Sequence, residues 1–136
     1  MTQFVKDYCD LALRISPSCG VQEARPRPEG STWVLFRPAG FPGDISLYHQ
    51  LTRGFAKLLI AGAASQAEAL KLRFAPFLSE DVEFGTAGKS LSLRISVPKV
   101  DPLKHSLKQE EAHVREGIAA IDRLATIYRQ AMGIGK

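Results

Sequence analysis

Hydrophobic and polar residues alternate most strictly over Lys89–Pro98, where Leu91, Leu93, Ile95 and Val97 interleave with Ser90, Ser92, Arg94 and Ser96. A period of two predicts a strand with one buried and one wetter face. A different period opens the chain. Phe4, Val5, Tyr8, Leu11, Ala12 and Ile15 recur at three-four spacing, which predicts a helix over 2–15 with Thr2 as its cap. Ser16-Pro17 ends it, because proline disfavours helical geometry in the residue before it. The strongest helical signal comes last. Val114, Ile118, Ile121, Ala125, Tyr128 and Met132 step by fours and threes toward a helix end near Met132.

Between these anchors, Val21–Arg27 reads as a strand that Pro26 and Pro28 confine to a sheet edge or an extended arm. Ser31–Arg37 is a second strand; its run Trp33, Val34, Leu35, Phe36 predicts at least partial cover on both faces. Pro38–Gly43 is a loop by composition. Asp44–Gln50 and Phe55–Ile60 form a hairpin around Leu51-Thr52-Arg53-Gly54, with Gly54 in the left-handed conformation. Ser65 and Glu68 fit a capping box for a helix to about Phe74, which Pro76 closes. Val82–Phe84 is a short strand and Gly85–Gly88 a turn. Asp101-Pro102, or Ser106-x-x-Gln109, starts the last helix. Gly133–Lys136 is expected to fray. These elements predict one α+β domain over 1–136. It has a single antiparallel sheet of five or six strands, an N-terminal helix, a middle helix and a long C-terminal helix.

Composition changes this picture little. The chain has 136 residues, 45% of them hydrophobic and 24% charged, enough for a core without disulfide or metal support. No apolar run approaches the ~20 residues of a membrane span. No basic leader precedes an apolar block, so a soluble, cytoplasmic protein is expected. Cys9 and Cys19 have no pairing or zinc spacing and are expected to be free thiols; no metal and no cofactor is implied.

The candidate chemistry is mostly excluded by its own requirements. Gly85-Thr-Ala-Gly-Lys-Ser90 resembles the end of a phosphate-binding loop, yet Glu83 stands where a glycine is needed and a strand follows instead of a helix. His49, His105 and His113 are scattered, with no nucleophile elbow or orienting acid. The metal-dependent nuclease signature, an acid followed by Glu-x-Lys or Asp-x-Lys, is absent. An enzymatic site would have to be assembled from Asp44, His49 and Glu83. No catalytic residue is assigned, and the chain is not expected to be an enzyme. The net charge of +4 permits a polyanionic partner. Arg25, Arg27, Arg53, Lys57, Lys89 and Arg94 fall on strands and turns. Aligned on one surface with Trp33 or Tyr48, they would form a nucleic-acid footprint. The C-terminal stripe is expected to serve the core first, with a homodimer contact as its other use.

His49-Gln-Leu-Thr-Arg-Gly-Phe-Ala-Lys-Leu58 and Gly88-Lys-Ser-Leu-Ser-Leu-Arg-Ile-Ser-Val-Pro-Lys-Val-Asp101 resemble a module of bacterial proteins associated with PD-(D/E)XK nuclease-like sequences. The catalytic signature of those nucleases is absent here. The resemblance therefore implies a non-catalytic accessory domain of a bacterial or mobile-element protein. The element order also resembles the small dimeric chaperones of type III secretion, which implies a dimer holding an extended peptide. The reading is a non-enzymatic binding module for nucleic acid or a nucleoprotein complex. The alternative is a dimeric module that captures a peptide by strand addition.

Overall fold

The computed structural model describes residues 2–26 and 31–134, the side chains of 25 and 26 apart. Its elements run α1 (Gln3–Ile15), β1 (Val21–Pro26), β2 (Thr32–Phe36), β3 (Ile45–Gln50), β4 (Phe55–Ile60), α2 (Ala67–Phe74), β5 (Val82–Ala87), β6 (Ser90–Ser96) and α3 (Leu107–Met132). Among the described residues the six strands form one antiparallel sheet in the order β1-β2-β3-β4-β6-β5. The first four strands are a meander. The chain then leaves through α2, and the β5–β6 hairpin returns so that β6 pairs with β4.

Side-chain parity decides which face is covered. Register aligns Val34, His49, Ala56, Ile95 and Val82 across five strands, and Leu47, Leu58, Leu93 and Phe84 form a neighbouring row. All but His49 and Phe84 belong to the cluster on which α1 and α3 pack; His49 is buried with them and Phe84 packs against the cluster. Each fully buried Leu or Ile there stabilises the fold by roughly 1.5–3 kcal/mol. The three helices cover this side, and α3 uses its whole stripe in doing so. Val114, Ile118, Ile121, Ala125 and Tyr128 are all buried, joined by Gly117, Leu124 and Ile127. Among the described residues no helix packs on the opposite face of the sheet.

Several boundaries differ from expectation for local reasons. The strand expected at Val82–Phe84 continues to Ala87, because its ladder with β6 persists to the pair Ala87–Ser90. The expected turn over Gly85–Gly88 shrinks accordingly, with Gly88 at φ +60°. The capping box at Ser65 and Glu68 does not form; a single tight turn over Ala64–Gln66 leads into α2 without a side-chain cap. Of the two starts open for α3, Ser106 is the one used, with Gln109 completing a reciprocal capping box. Thr2 caps α1 as expected, its hydroxyl accepting from the Val5 amide. Gly54 is left-handed at φ +72°. Cys9 and Cys19 are free, although Cys9 is only half-buried. Arg27 and the last two residues lie outside the described residues.

One polar pair sits inside the helix-covered core. The Tyr8 hydroxyl of α1 and His49 Nδ1 of β3 are 2.7 Å apart, and both residues are 0% exposed. His49 has room because Ala56 stands beside it on β4 and Gly117 of α3 lies over its ring. Its Nε2 has no hydrogen-bond partner among the described residues. Burial pushes the imidazole down to about 3 from an ordinary 6.5. A folded value below the unfolded one means stability that is complete above about pH 6.5 and is lost as pH falls toward 3. The slope from this one group approaches about 1.4 kcal/mol per pH unit inside that window. Chemical denaturation at several pH values should show this slope in the wild type and its absence in His49→Leu. An unchanged slope in the variant would contradict the assignment.

Candidate functional site

The strands that build the covered face also build the open one, from the alternate positions. Register sets Leu35, Tyr48, Lys57, Arg94 and Glu83 side by side across β2, β3, β4, β6 and β5. The adjacent row holds Trp33, Gln50, Phe55 and Ser96. On the other side of the first row stand Ser46, Leu59, Ser92 and Gly85.

An aromatic ladder runs diagonally between the first two rows. Trp33 stacks on Tyr48 with centroids 4.1 Å apart and planes 8° from parallel. Tyr48 meets the edge of Phe55 at 6.2 Å. The Arg94 guanidinium lies 4.2 Å over the Phe55 ring. Such contacts between rings, and between a cation and a ring, are each worth about 0.5–1.5 kcal/mol beyond area burial. They hold the face rigid without a helix behind it. Tyr48 is only 5% exposed, so it supports the ladder from within, whereas Trp33 and Lys57 are half-buried and Arg94 is exposed.

Lys57 and Arg94 are direct cross-strand partners. The ion pairs of the described residues join His105 and His113 to Glu110, Arg115 to Glu111, and Arg123 to Asp81; Lys57 and Arg94 take part in none. Burial, and then the charge of Arg94, push the Lys57 ammonium below its ordinary value. Arg53 is exposed on the β3–β4 turn at the Phe55 end of this face. That turn is fixed by the Gln50 side chain, whose Oε1 accepts from the Thr52 amide, the Thr52 hydroxyl and the Arg53 amide at 3.1, 3.0 and 3.2 Å.

The structure therefore brings together Trp33, Tyr48, Lys57 and Arg94, with Arg53 at their margin. Lys89 is not with them. It lies on the β5–β6 turn, at the far end of β6 from Arg53. The backbone of Arg25 pairs with Trp33 at the sheet edge; Arg27 lies outside the described residues. Asp44, His49 and Glu83 do not assemble. His49 faces the helices, Glu83 is exposed on the opposite face, and Asp44 precedes β3. No group of three His, Cys, Asp or Glu residues among the described residues is disposed to hold a metal ion. No helix among them is long and apolar enough to cross a membrane.

Phe55 is the member of this site that sequence reasoning missed. Its signal was parity: Phe55 and Lys57 share a face of β4, as Tyr48 and Gln50 do on β3, but which face stays open depends on where the helices pack. A separate cleft of about 620 Å³, lined by Thr2, Val5, Glu23, Ala24, Thr32, Pro102 and Leu103, lies at the start of α1 and contains none of these cations. No family model matches the chain, and searches of curated proteins and of solved structures give no match.

Proposed function

We propose that the chain is a non-enzymatic nucleic-acid-binding module whose binding surface is the helix-free face of its sheet. The observation that carries this reading is the adjacency of Lys57 and Arg94, two cations in direct cross-strand register that join no ion pair among the described residues, beside the Trp33–Tyr48–Phe55 ladder. A positively charged surface next to aromatic rings suits a polyanion that also carries flat bases. Arg53 extends the cationic zone toward one end of β4. The rigid placement of the cations on strands, with Arg94 held against Phe55, lowers the ordering cost that flexible lysines and arginines otherwise incur on binding.

Counterion release gives the test. Two phosphate contacts, one at Arg53 and one shared by Lys57 and Arg94, should make the logarithm of the affinity for a single strand fall with the logarithm of salt at a slope of about −1.4. Fluorescence anisotropy of a labelled oligonucleotide, measured from low to physiological salt, reads this directly. Trp33, the one tryptophan of the chain, provides a second signal on the same face. Absence of binding at low salt, or affinity that ignores salt, would remove the proposal. Salt-insensitive binding of an extended peptide would support the peptide-capturing alternative in its place.

A further inference from the structure

We infer that Lys57 and Arg94 form a seat for one backbone phosphate of a single-stranded nucleic acid, and that Glu83 on one flank and the uncharged end of the row on the other exclude a duplex. The inference rests on the nucleic-acid reading and specifies its ligand. Like charges directly opposite each other on neighbouring strands destabilise a sheet. Here the pair occupies two interior strands, the fourth and fifth of six, in positions that a threonine or valine would fill at no electrostatic cost. Neither side chain joins an ion pair among the described residues: Arg94 lies over the Phe55 ring with Glu83 opposite on β5, and the half-buried Lys57 has only Tyr48 opposite on β3. An anion between them would turn mutual repulsion into two attractions.

The neighbours shape that position for a phosphate. Ser46, Ser92 and Ser96 occupy three of the four places diagonal to Lys57, with Gln50 at the fourth, so hydroxyls that can donate stand beside the cationic side chains. The Arg94 guanidinium has one flat side against Phe55, which leaves its rim of N–H donors for phosphate oxygens.

The cationic zone is narrow. Lys57 and Arg94 span two strands spaced about 4.8 Å apart. Glu83 stands opposite Arg94 on β5, and Leu35 and Tyr48 continue the same row on the other side. A duplex presents phosphates in two rows across grooves about 6–12 Å wide. With one row over the seat, the second would fall over Glu83 or over the apolar end of the row. A single strand avoids both and can turn a base toward Trp33, the half-buried member of the ladder.

The test compares a labelled thymidine 12-mer with a duplex of equal length at low salt, using wild type, Lys57→Met, Arg94→Met, the double variant and Glu83→Gln. Each single variant should weaken single-strand binding about tenfold. The double variant should lose little more, because both cations serve one phosphate, and Glu83→Gln should improve duplex binding. Single-strand affinity unchanged in both single variants would overturn the seat while leaving nucleic-acid binding in place. Equal wild-type affinity for duplex and single strand would overturn the strand selectivity. A thermal-shift series with inorganic phosphate separates the two levels. If no oligonucleotide binds but phosphate stabilises wild type and neither methionine variant, the nucleic-acid reading falls and the anion seat stands.

Discussion

Replacing Gly117 by alanine is expected to destabilise the protein by about 2–3 kcal/mol and to lower its melting temperature by roughly 8–10 °C. On an open helix surface the same change would stabilise by about 1 kcal/mol, because alanine is the better helix former. The sign is reversed here by one contact. A Cβ on Gly117 would overlap the His49 ring, meeting its Cε1, Nε2 and Nδ1 at once. The imidazole has little freedom to retreat, since Tyr8 holds Nδ1 at 2.7 Å and the residue is fully buried. In a His49→Ala background the obstacle is gone, and Gly117→Ala should become neutral or stabilising. Thermal denaturation of the four proteins of this cycle measures the coupling. Additive effects would show that the two residues do not meet.

Lys57→Glu is expected to move stability and binding in opposite directions. The substitution sets a carboxylate opposite Arg94, replacing a repulsive cross-strand pair by an attractive one. Each kind of pair is worth about 0.2–1 kcal/mol, so the fold should gain on the order of 1 kcal/mol. Binding of a single-stranded oligonucleotide should fall by on the order of 100-fold, since a phosphate contact is lost and a repulsive charge takes its place. A surface kept below its best attainable stability is what a functional site is expected to look like. Denaturant midpoints and anisotropy titrations on the same preparations read both quantities. Loss of stability together with loss of binding would reduce the effect to damage, and unchanged binding would take Lys57 out of the site.

Much of the fold was legible because its signals are local. The alternation over Leu91–Val97, the three-four spacing of α1 and α3, and the Gly54 turn are written within a few residues of each other. β1 and β2 were also readable, from extended runs between proline and glycine. The less legible features depend on neighbours distant in sequence. Gly85–Ala87 looks like turn composition, yet β6 pairs with it along its whole length. Ser65 and Glu68 have the spacing of a cap, but the chain enters α2 through a tight turn that leaves that geometry unused.

The candidate site was legible in kind and only partly in place. Trp33, Tyr48, Lys57 and Arg94 were readable as aromatic and basic residues on strands, and strand register brings these four together. Lys89 was grouped with them on charge alone, and the direction of β6 carries it to the opposite end of the sheet. Phe55 carries no local signal that marks it for the site, because which face of β4 stays open is set by where the helices pack. The Tyr8–His49 pair was hidden for the same reason. Each residue sits in an otherwise apolar stripe, and only the packing of α1 across β3 makes them partners across 41 positions.

The most direct test of the account is an NMR titration of the assigned protein with a single-stranded oligonucleotide at low salt. The largest shifts are expected at the Trp33 indole and at the amides of Arg53, Lys57, Ser92, Arg94 and Ser96, with His49 and the buried face of α3 unmoved. Shifts confined to α2, to the cleft beside Thr2 and Leu103, or to no residue at all would contradict it.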